Sequence, residues 1–495
     1  MIGQTTSRVA DTHSVAPQLS DAGCERERRD LLELGEQIVA RVPASRLAFQ
    51  SWFDATRGLS DEACVTFTPE AALARLAAEF RRLWLKVAHK TADQHMRSPH
   101  HADAPITPSG AEVPYGYERE IRPTVLEERC TRYAPAPAGW SAAHVLFSSA
   151  QGGLASVLHW AQEDGIWTVD GAPHLTLAGN YFETQDLFGL FCGGELTWSK
   201  AKSLEPAGRT GGGPSRVMLI EPVFYDDGVN VFDIDAFRRV WANADNPERE
   251  TALFVIDTTL TGPAFPLDEF LAALHPGSIV IQIHSGLKLD QAGLELASVG
   301  IASIFCADAK SPRAAEIAER LRKIRTATGV GLTLDEISVL EAPWFLDQGY
   351  FRRYTQAVFK NNAALATALS GKSSLFAQVL HPEFARADCP WAQAPYCVLR
   401  LRDATPENYE LLERAIETEC ERRGLLFDRG GSFGFRSHRY ETVTPAVGRG
   451  DRFLRIAMGA RGGPSLNGII ELMRELSALP SVDKLPQRKQ SNAAR

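Results

Sequence analysis

The sequence predicts an α/β fold: a mostly parallel central sheet, a smaller C-terminal α+β domain and a helical N-terminal extension. Three observations lead there. From His144 onward, short apolar runs alternate with segments of helical period, the pattern of strands buried on both faces and joined by crossover helices. Beyond Gly349 a long helical stretch leads into strand, helix and strand. Before His95, leucines and other apolar residues recur at three- and four-residue steps between charges.

Taken in order, Arg26–Val42 and Glu70–Val87 read as amphipathic helices and the His- and Pro-rich stretch His95–Pro114 as a linker, so residues 1–112 form the extension. Residues 113–345 form the large domain. Its candidate strands are His144–Phe147, Leu175–Ala178, Val217–Ile220, Leu253–Ile256, Ile279–Ile283 and Ala302–Phe305, with Gly153–Gln162 and Asp233–Ala242 as crossover helices. Residues 346–480 form the smaller domain, with a helix over Tyr350–Ser370, strands at Tyr396–Arg402 and Phe453–Ala457, and a helix over Pro406–Arg423 between them. Residues 481–495, ending KLPQRKQSNAAR, are polar and basic and read as a disordered tail.

Composition narrows the function classes. At roughly 100–200 residues per domain, 495 residues suffice for two or three domains and a substantial core. A net charge of −8 lacks the basic excess that phosphate-backbone binding needs, so nucleic acid is not an expected partner. No run reaches the roughly eighteen apolar residues of a membrane span, and the first twenty residues carry no apolar signal core. The expected location is cytoplasmic, with no membrane partner. Eight cysteines are scattered without a CxxC pair and read as reduced, packed thiols. No metal site is expected: His95, His100 and His101 read as part of the linker, and Asp226 and Asp227 as the end of a turn.

Chemistry enters with VIDTTLTGPAFP and IVIQIHSGLKLD, where Asp257 ends one buried strand and Lys288 follows the next. Both therefore lie on one sheet edge. An aspartate there can hold a pyridinium nitrogen protonated, and a partly desolvated lysine one strand over can form a Schiff base, the two requirements of pyridoxal 5'-phosphate. Strand-end aspartates and helix-start lysines are also common in proteins without a cofactor, so other segments have to decide. FSSAQGGLASVL runs from strand through a small-residue turn into a helix, leaving backbone N–H groups free to cradle a phosphate or simply making a tight turn. Tyr181 follows the next strand, where its ring can lie on a flat cofactor or join the core.

In this order and spacing the segments resemble the Cys/Met-metabolism family of fold-type-I (aspartate aminotransferase-like) pyridoxal-phosphate enzymes, the cystathionine synthases and lyases and methionine γ-lyase. The family's Tyr-Ser-Arg-x-x-Asn-Pro-Thr appears as Tyr117-Glu118-Arg119-Glu120-Ile121-Arg122-Pro123-Thr124, and its Tyr-Gly-Gly-Thr-x-x-Leu-Phe as Tyr181-Phe182-Glu183-Thr184-Gln185-Asp186-Leu187-Phe188. Its Asp-Asn-Thr-x-x-x-Pro appears as Asp257-Thr258-Thr259-Leu260-Thr261-Gly262-Pro263, and GSFGF and FLRIAMG look like its Ser-Leu-Gly and Arg-Leu-Ser-x-Gly segments. The resemblance spans Val113 to Leu479. It implies Lys288 as the Schiff-base lysine and proton shuttle, Asp257 as the pyridine-nitrogen partner with Thr259 beside it, and Tyr181 as the stacking ring and proton donor. The phosphate would lie on the amides of Ala150, Gln151 and Gly152 with Ser285, and Tyr117 and Arg119 would reach it from a neighbouring subunit. A homodimer or homotetramer with interfacial sites is thus implied. Arg455, rather than nearby Arg436, Arg439, Arg452 or Arg461, would clamp a substrate carboxylate, with Ser432 beside it.

The departures fall around the pocket. Ser285-Gly286-Leu287-Lys288 lacks the family's Thr before the lysine, and Glu221-Pro222-Val223-Phe224-Tyr225 replaces the loop whose Asn contacts the cofactor's phenolic oxygen. Tyr225 or a neighbour takes that contact, or it is lost. The segment between Asp257 and Lys288 is longer than in the family and carries a surplus helix, Asp268–Leu274. The resemblance therefore implies γ-elimination or γ-replacement on a specialised amino acid (unsaturated, halogenated or sulfonium-bearing), for example by an alkyne-forming γ-lyase. The alternatives are an aminotransferase or β-lyase on the same fold, and a catalytically silent scaffold.

Overall fold

The computed structural model describes residues 22–59, 67–92, 95–99, 104–166, 168–169, 172–179, 181–191, 197–200, 217–225, 228–242, 253–275, 277–385, 389–444 and 451–486. The first twenty residues, His100, His101, Asp226, Asp227 and the last nine residues of the tail lie outside them. The central sheet contains β1 (Trp140–Phe147), β2 (Thr168–Val169), β3 (Ala172–Ala178), β4 (Thr197–Lys200), β5 (Val217–Ile220), β6 (Leu253–Asp257), β7 (Ile279–Ser285) and β8 (Gly300–Ala307). Its order is β1-β8-β7-β6-β5-β3-β2, with β4 also on β3. Contacts among β3, β4, β5, β6 and β7 are parallel, whereas β8 runs antiparallel to both neighbours and β2 antiparallel to β3.

All six expected strands form, several of them longer than their apolar runs suggest. β1 begins at Trp140 and β7 reaches Ser285, because half-buried polar residues, Ser141 in β1 and Ser285 in β7, continue the ladder beyond the apolar runs. The short edge strands β2 and β4 have too few apolar residues to stand out. The expected crossover helices lie at Ala150–Glu163 and Ile234–Ala242, and the surplus helix between β6 and β7 shortens to Leu267–Leu271.

A second sheet contains β9 (Phe376–Leu380), β10 (Cys397–Leu401), β11 (Phe427–Arg429), β12 (His438–Val443) and β13 (Phe453–Ala457), in the order β11-β12-β13-β10-β9. Helices Pro406–Arg423 and Pro464–Ser477 lay their apolar stripes on it, Leu412, Ile416, Ile469 and Met473 among its core residues. Val482 and Leu485 are buried in the same core.

The N-terminal helices Ala22–Arg41 and Phe67–Ala92 flank a third, Arg46–Arg57, which was not expected. They share a core with residues 289–359: the Trp84 indole donates to the Val339 carbonyl at 2.9 Å. They also reach the second sheet's half of the chain, where Glu27 accepts from Arg461 at 2.8 Å and Glu70 from the Ser465 hydroxyl at 2.6 Å. Among the described residues no helix is long and apolar enough to cross a membrane.

Candidate active site

β1 is parallel to β7 because both oppose β8, so β1, β3, β5, β6 and β7 all end on one edge of the sheet. Carboxyl ends of parallel strands leave a crevice where their connections diverge. Here the chain emerges through Ser149 and Ala150 after β1, Tyr181 after β3, Glu221 after β5, Asp257 on β6 and Ser285 on β7. β8 starts at the same edge, which brings Ser298 there. The loop Gly431–Phe433 and strands β12 and β13 close the other side, and a cavity of about 600 Å³ lies between.

Lys288 lies on the turns after β7, largely out of water, and its Nζ donates to the Ser432 hydroxyl at 2.6 Å and lies 5.5 Å from the centre of the Phe433 ring. Burial, and then the positive charge of Arg455, lower its pKa below the ordinary lysine value. A cavity-facing amine so shifted is the kind of group that acts as nucleophile and base. Two backbone features bring its partner close. Ser432 has a φ of +69°, a left-handed conformation costly for a residue with a Cβ. Gly434 also lies in that region, at +81°, and a Cβ there would come within 2.5 Å of the Lys288 carbonyl oxygen.

Across the cavity, Arg455 is buried on β13, its guanidinium donating to the Tyr225 hydroxyl and paired with Glu441. Burial works against its charge, but Tyr225 and Glu441 outweigh that and raise its pKa. Tyr225 meets Tyr181 edge to face at 5.2 Å between ring centres. The Glu221 carboxylate fixes both tyrosines, accepting from the Tyr181 amide at 2.9 Å and the Tyr225 amide at 3.1 Å. Burial and then Glu183, which accepts from the Tyr181 hydroxyl, push the Tyr181 pKa up, so that phenol keeps its proton at neutral pH.

Asp257 is capped by its own turn, Oδ1 accepting from the Thr259 amide at 2.9 Å, while the Thr259 hydroxyl accepts from the Ser285 amide at 3.0 Å. Burial raises its pKa despite these bonds. The cavity thus brings together Lys288, Tyr181, Asp257, Thr259, Ser285, Ala150, Gln151, Ser432 and Arg455. Gly152 is turned away: its amide donates to the Ser149 hydroxyl at 3.0 Å, capping the helix. Tyr117 and Arg119 are exposed outside the cavity of their own chain, with the Arg119 guanidinium 4.8 Å from the Tyr117 ring centre. Of the competing arginines, Arg461 pairs with Glu27, Arg436 with Asp30, and Arg439 lies over Phe435.

No family model and no curated protein matches the chain. Solved structures do. A methionine γ-lyase from Micromonospora echinospora superposes with a TM-score of 0.53 at 19% identity, over 73% of this chain and 88% of that one. Yeast cystathionine γ-lyase gives 0.53 at 17%, over 73% and 87%. A protein described as an O-acetylhomoserine (thiol)-lyase from Campylobacter jejuni, holding a pyridoxyl-lysine phosphate, gives 0.53 at 13%, over 79% and 90%. The architecture is fold type I. At these identities the likeness is one of fold, and what the cavity does must be argued from its own residues.

The donor set fits pyridoxal phosphate. A buried carboxylate whose charge is penalised, with one oxygen held by an amide, is relieved by a cationic N–H, which a protonated pyridine supplies. Lys288 supplies the shifted amine, and the Ala150 and Gln151 end of a 14-residue helix lines the same cavity. Sequence reasoning missed Glu441, Glu183 and Ser298. β12 carries too few consecutive apolar residues to read as a strand, so nothing placed Glu441 opposite Arg455.

Proposed function

We propose that the chain is a pyridoxal-phosphate-dependent enzyme that eliminates or replaces a γ-substituent of an amino acid, with Lys288 as the cofactor lysine and base. The observation that carries this is Lys288 itself: a desolvated amine in a 600 Å³ cavity with Asp257, Tyr181 and a helix N-terminus on its walls. When bound, the cofactor supplies an electron sink for the pair left at Cα. Asp257, braced by the Thr259 amide, would hold the proton on the ring nitrogen, and Ala150, Gln151 and Ser285 would hold the phosphate end. Among the described residues the cavity's cations are Lys288, which takes the aldehyde end, and Arg455, which with its partners Glu441 and Tyr225 is kept for the substrate carboxylate. A phosphate dianion therefore calls for charge from elsewhere. Exposed Arg119 of a second copy would supply it, with the Tyr117 hydroxyl beside it as a hydrogen-bond donor, making the working unit a homodimer or homotetramer.

Arg455 orients the substrate carboxylate. Lys288 Nζ would take the proton from Cα, hand it on to the cofactor's electron sink and, as a free base again, take one from Cβ, so that a group at Cγ can depart with its bonding electrons. The Tyr181 hydroxyl, protonated at neutral pH, turns from Glu183 to that leaving group. Phe182, Glu183 and Tyr225 replace the residues expected by family resemblance, so the substrate is a specialised amino acid with an unsaturated, halogenated or sulfonium-bearing side chain, as in an alkyne-forming γ-lyase. Incubating holoenzyme with saturated and unsaturated amino acids in deuterated water tests this. Deuterium at both Cα and Cβ is expected. Deuterium at Cα alone would replace γ-chemistry with transamination or β-elimination.

A further inference from the structure

We infer that Glu441 determines specificity and selects an amino acid carrying a positive charge on its side chain. The inference rests on the reading of Lys288 as the cofactor lysine. β12 and β13 pair antiparallel with Glu441 directly opposite Arg455, so backbone register fixes the carboxylate beside the guanidinium. Glu441 Oε1 takes one terminal nitrogen of Arg455 while the Tyr225 hydroxyl accepts from the other. Its second oxygen occupies the space left by Gly431, where a Cβ would come within 2.9 Å of it. Both Glu441 and Arg455 line the cavity, and the Arg455 side chain is 7% exposed.

Charge balance gives the consequence. The pair is neutral as it stands. A substrate carboxylate drawn to Arg455 places two carboxylates on one buried guanidinium, an arrangement penalised in a poorly solvated site. A neutral side chain leaves the surplus negative charge uncompensated, whereas a cationic one neutralises it by pairing with Glu441. Of the three other carboxylates that line the cavity among the described residues, Glu183, Glu221 and Asp257, Glu183 is the exposed one and adds to the same preference. Ammonium and sulfonium groups share the required charge and differ in hydrogen bonding, because only the ammonium can donate to Glu441.

The test is a titration of holoenzyme, followed by cofactor absorbance, with two matched pairs: L-lysine against L-norleucine and S-methyl-L-methionine against L-methionine. The cationic member is expected to bind about tenfold tighter or more in at least one pair. A preference confined to L-lysine identifies an ammonium, and one confined to S-methyl-L-methionine a sulfonium. In Glu441→Gln the preference should collapse, the cationic ligand weakening and the neutral one tightening. Equal affinities within both pairs of the wild-type protein overturn the inference while leaving the cofactor reading intact, and need no variant to fold. Equal tightening of all four ligands in Glu441→Gln makes Glu441 a plain competitor for Arg455 and overturns it as well. A protein that takes up no cofactor removes both readings together, whereas a cofactor band that responds to none of the four overturns the inference alone.

Discussion

Two groups of buried charge invite comparison: Lys288, Arg455, Glu441 and Asp257 around the cavity, and Glu27, Asp30, Arg436 and Arg461 between the first helix and the second sheet. The second group borders a wider hollow, about 800 Å³ against about 600 Å³. Its ions are matched: Arg461 meets Glu27 at 2.8 Å and Arg436 meets Asp30 at 2.6 Å. Burial opposes ionisation of Glu27, yet Arg461 and then Arg436 hold its carboxyl below the ordinary range. In the first group, burial prevails at Asp257 and Lys288, pushing the acid up and the amine down toward their neutral forms. Volume and charge alone do not mark a site. An uncompensated acid and an uncompensated amine on the walls of one cavity do, because both are stabilised by what binds between them, whereas matched ions already have their partners.

The comparison can be broken in several ways, and the largest effect should come from Lys288. Lys288→Met is expected to lower turnover by about 10³-fold or more with the fold retained by circular dichroism. Glu27→Ala does the reverse: it leaves Arg461 buried without its anion and should cost about 3–5 kcal/mol of folding stability in a urea titration. Uptake of cofactor per folded molecule should be unchanged. Asp257→Asn keeps the shape but removes the carboxylate, and a fall of about 10²-fold in turnover with weakened cofactor retention is expected. Turnover and stability changing together in any of these would dissolve the distinction.

Acid and base limbs give the smallest and sharpest test. The folded Glu27 carboxyl releases its proton at a lower pH than in the unfolded chain, so its stabilisation is present above the ordinary carboxylate range and is lost as pH falls through the folded value. Glu27→Gln should flatten that acid loss. Lys288 has the opposite sign. Its folded pKa lies below the ordinary 10.5, so its burial destabilises the apoprotein at neutral pH and this cost fades as pH rises toward 10.5. Apo Lys288→Met should therefore be more stable than apo wild type at pH 7, with the difference shrinking at high pH.

Much of the fold is legible because it rests on local pattern. β5 is an unbroken apolar run, and the helix Pro406–Arg423 starts where Thr405 caps it and ends where Gly424 turns left-handed. Lys288, Asp257 and Tyr181 are legible because each follows or ends a readable strand. Glu441 is not, since it matters only through its register against Arg455. Glu27 reads locally as one more charge on an amphipathic helix, and its partner Arg461 is 434 positions away. The amide of Gly152 reads as available from the sequence, but the Ser149 hydroxyl takes it as the helix cap.

The most direct test of the central claim is to reconstitute the chain with pyridoxal 5'-phosphate, reduce it with borohydride, and find the modified peptide by mass spectrometry. The phosphopyridoxyl group is expected on the peptide containing Lys288, at about one per chain, and absent from Lys288→Met. A group carried by a different lysine, or no stable adduct at all, would contradict the account.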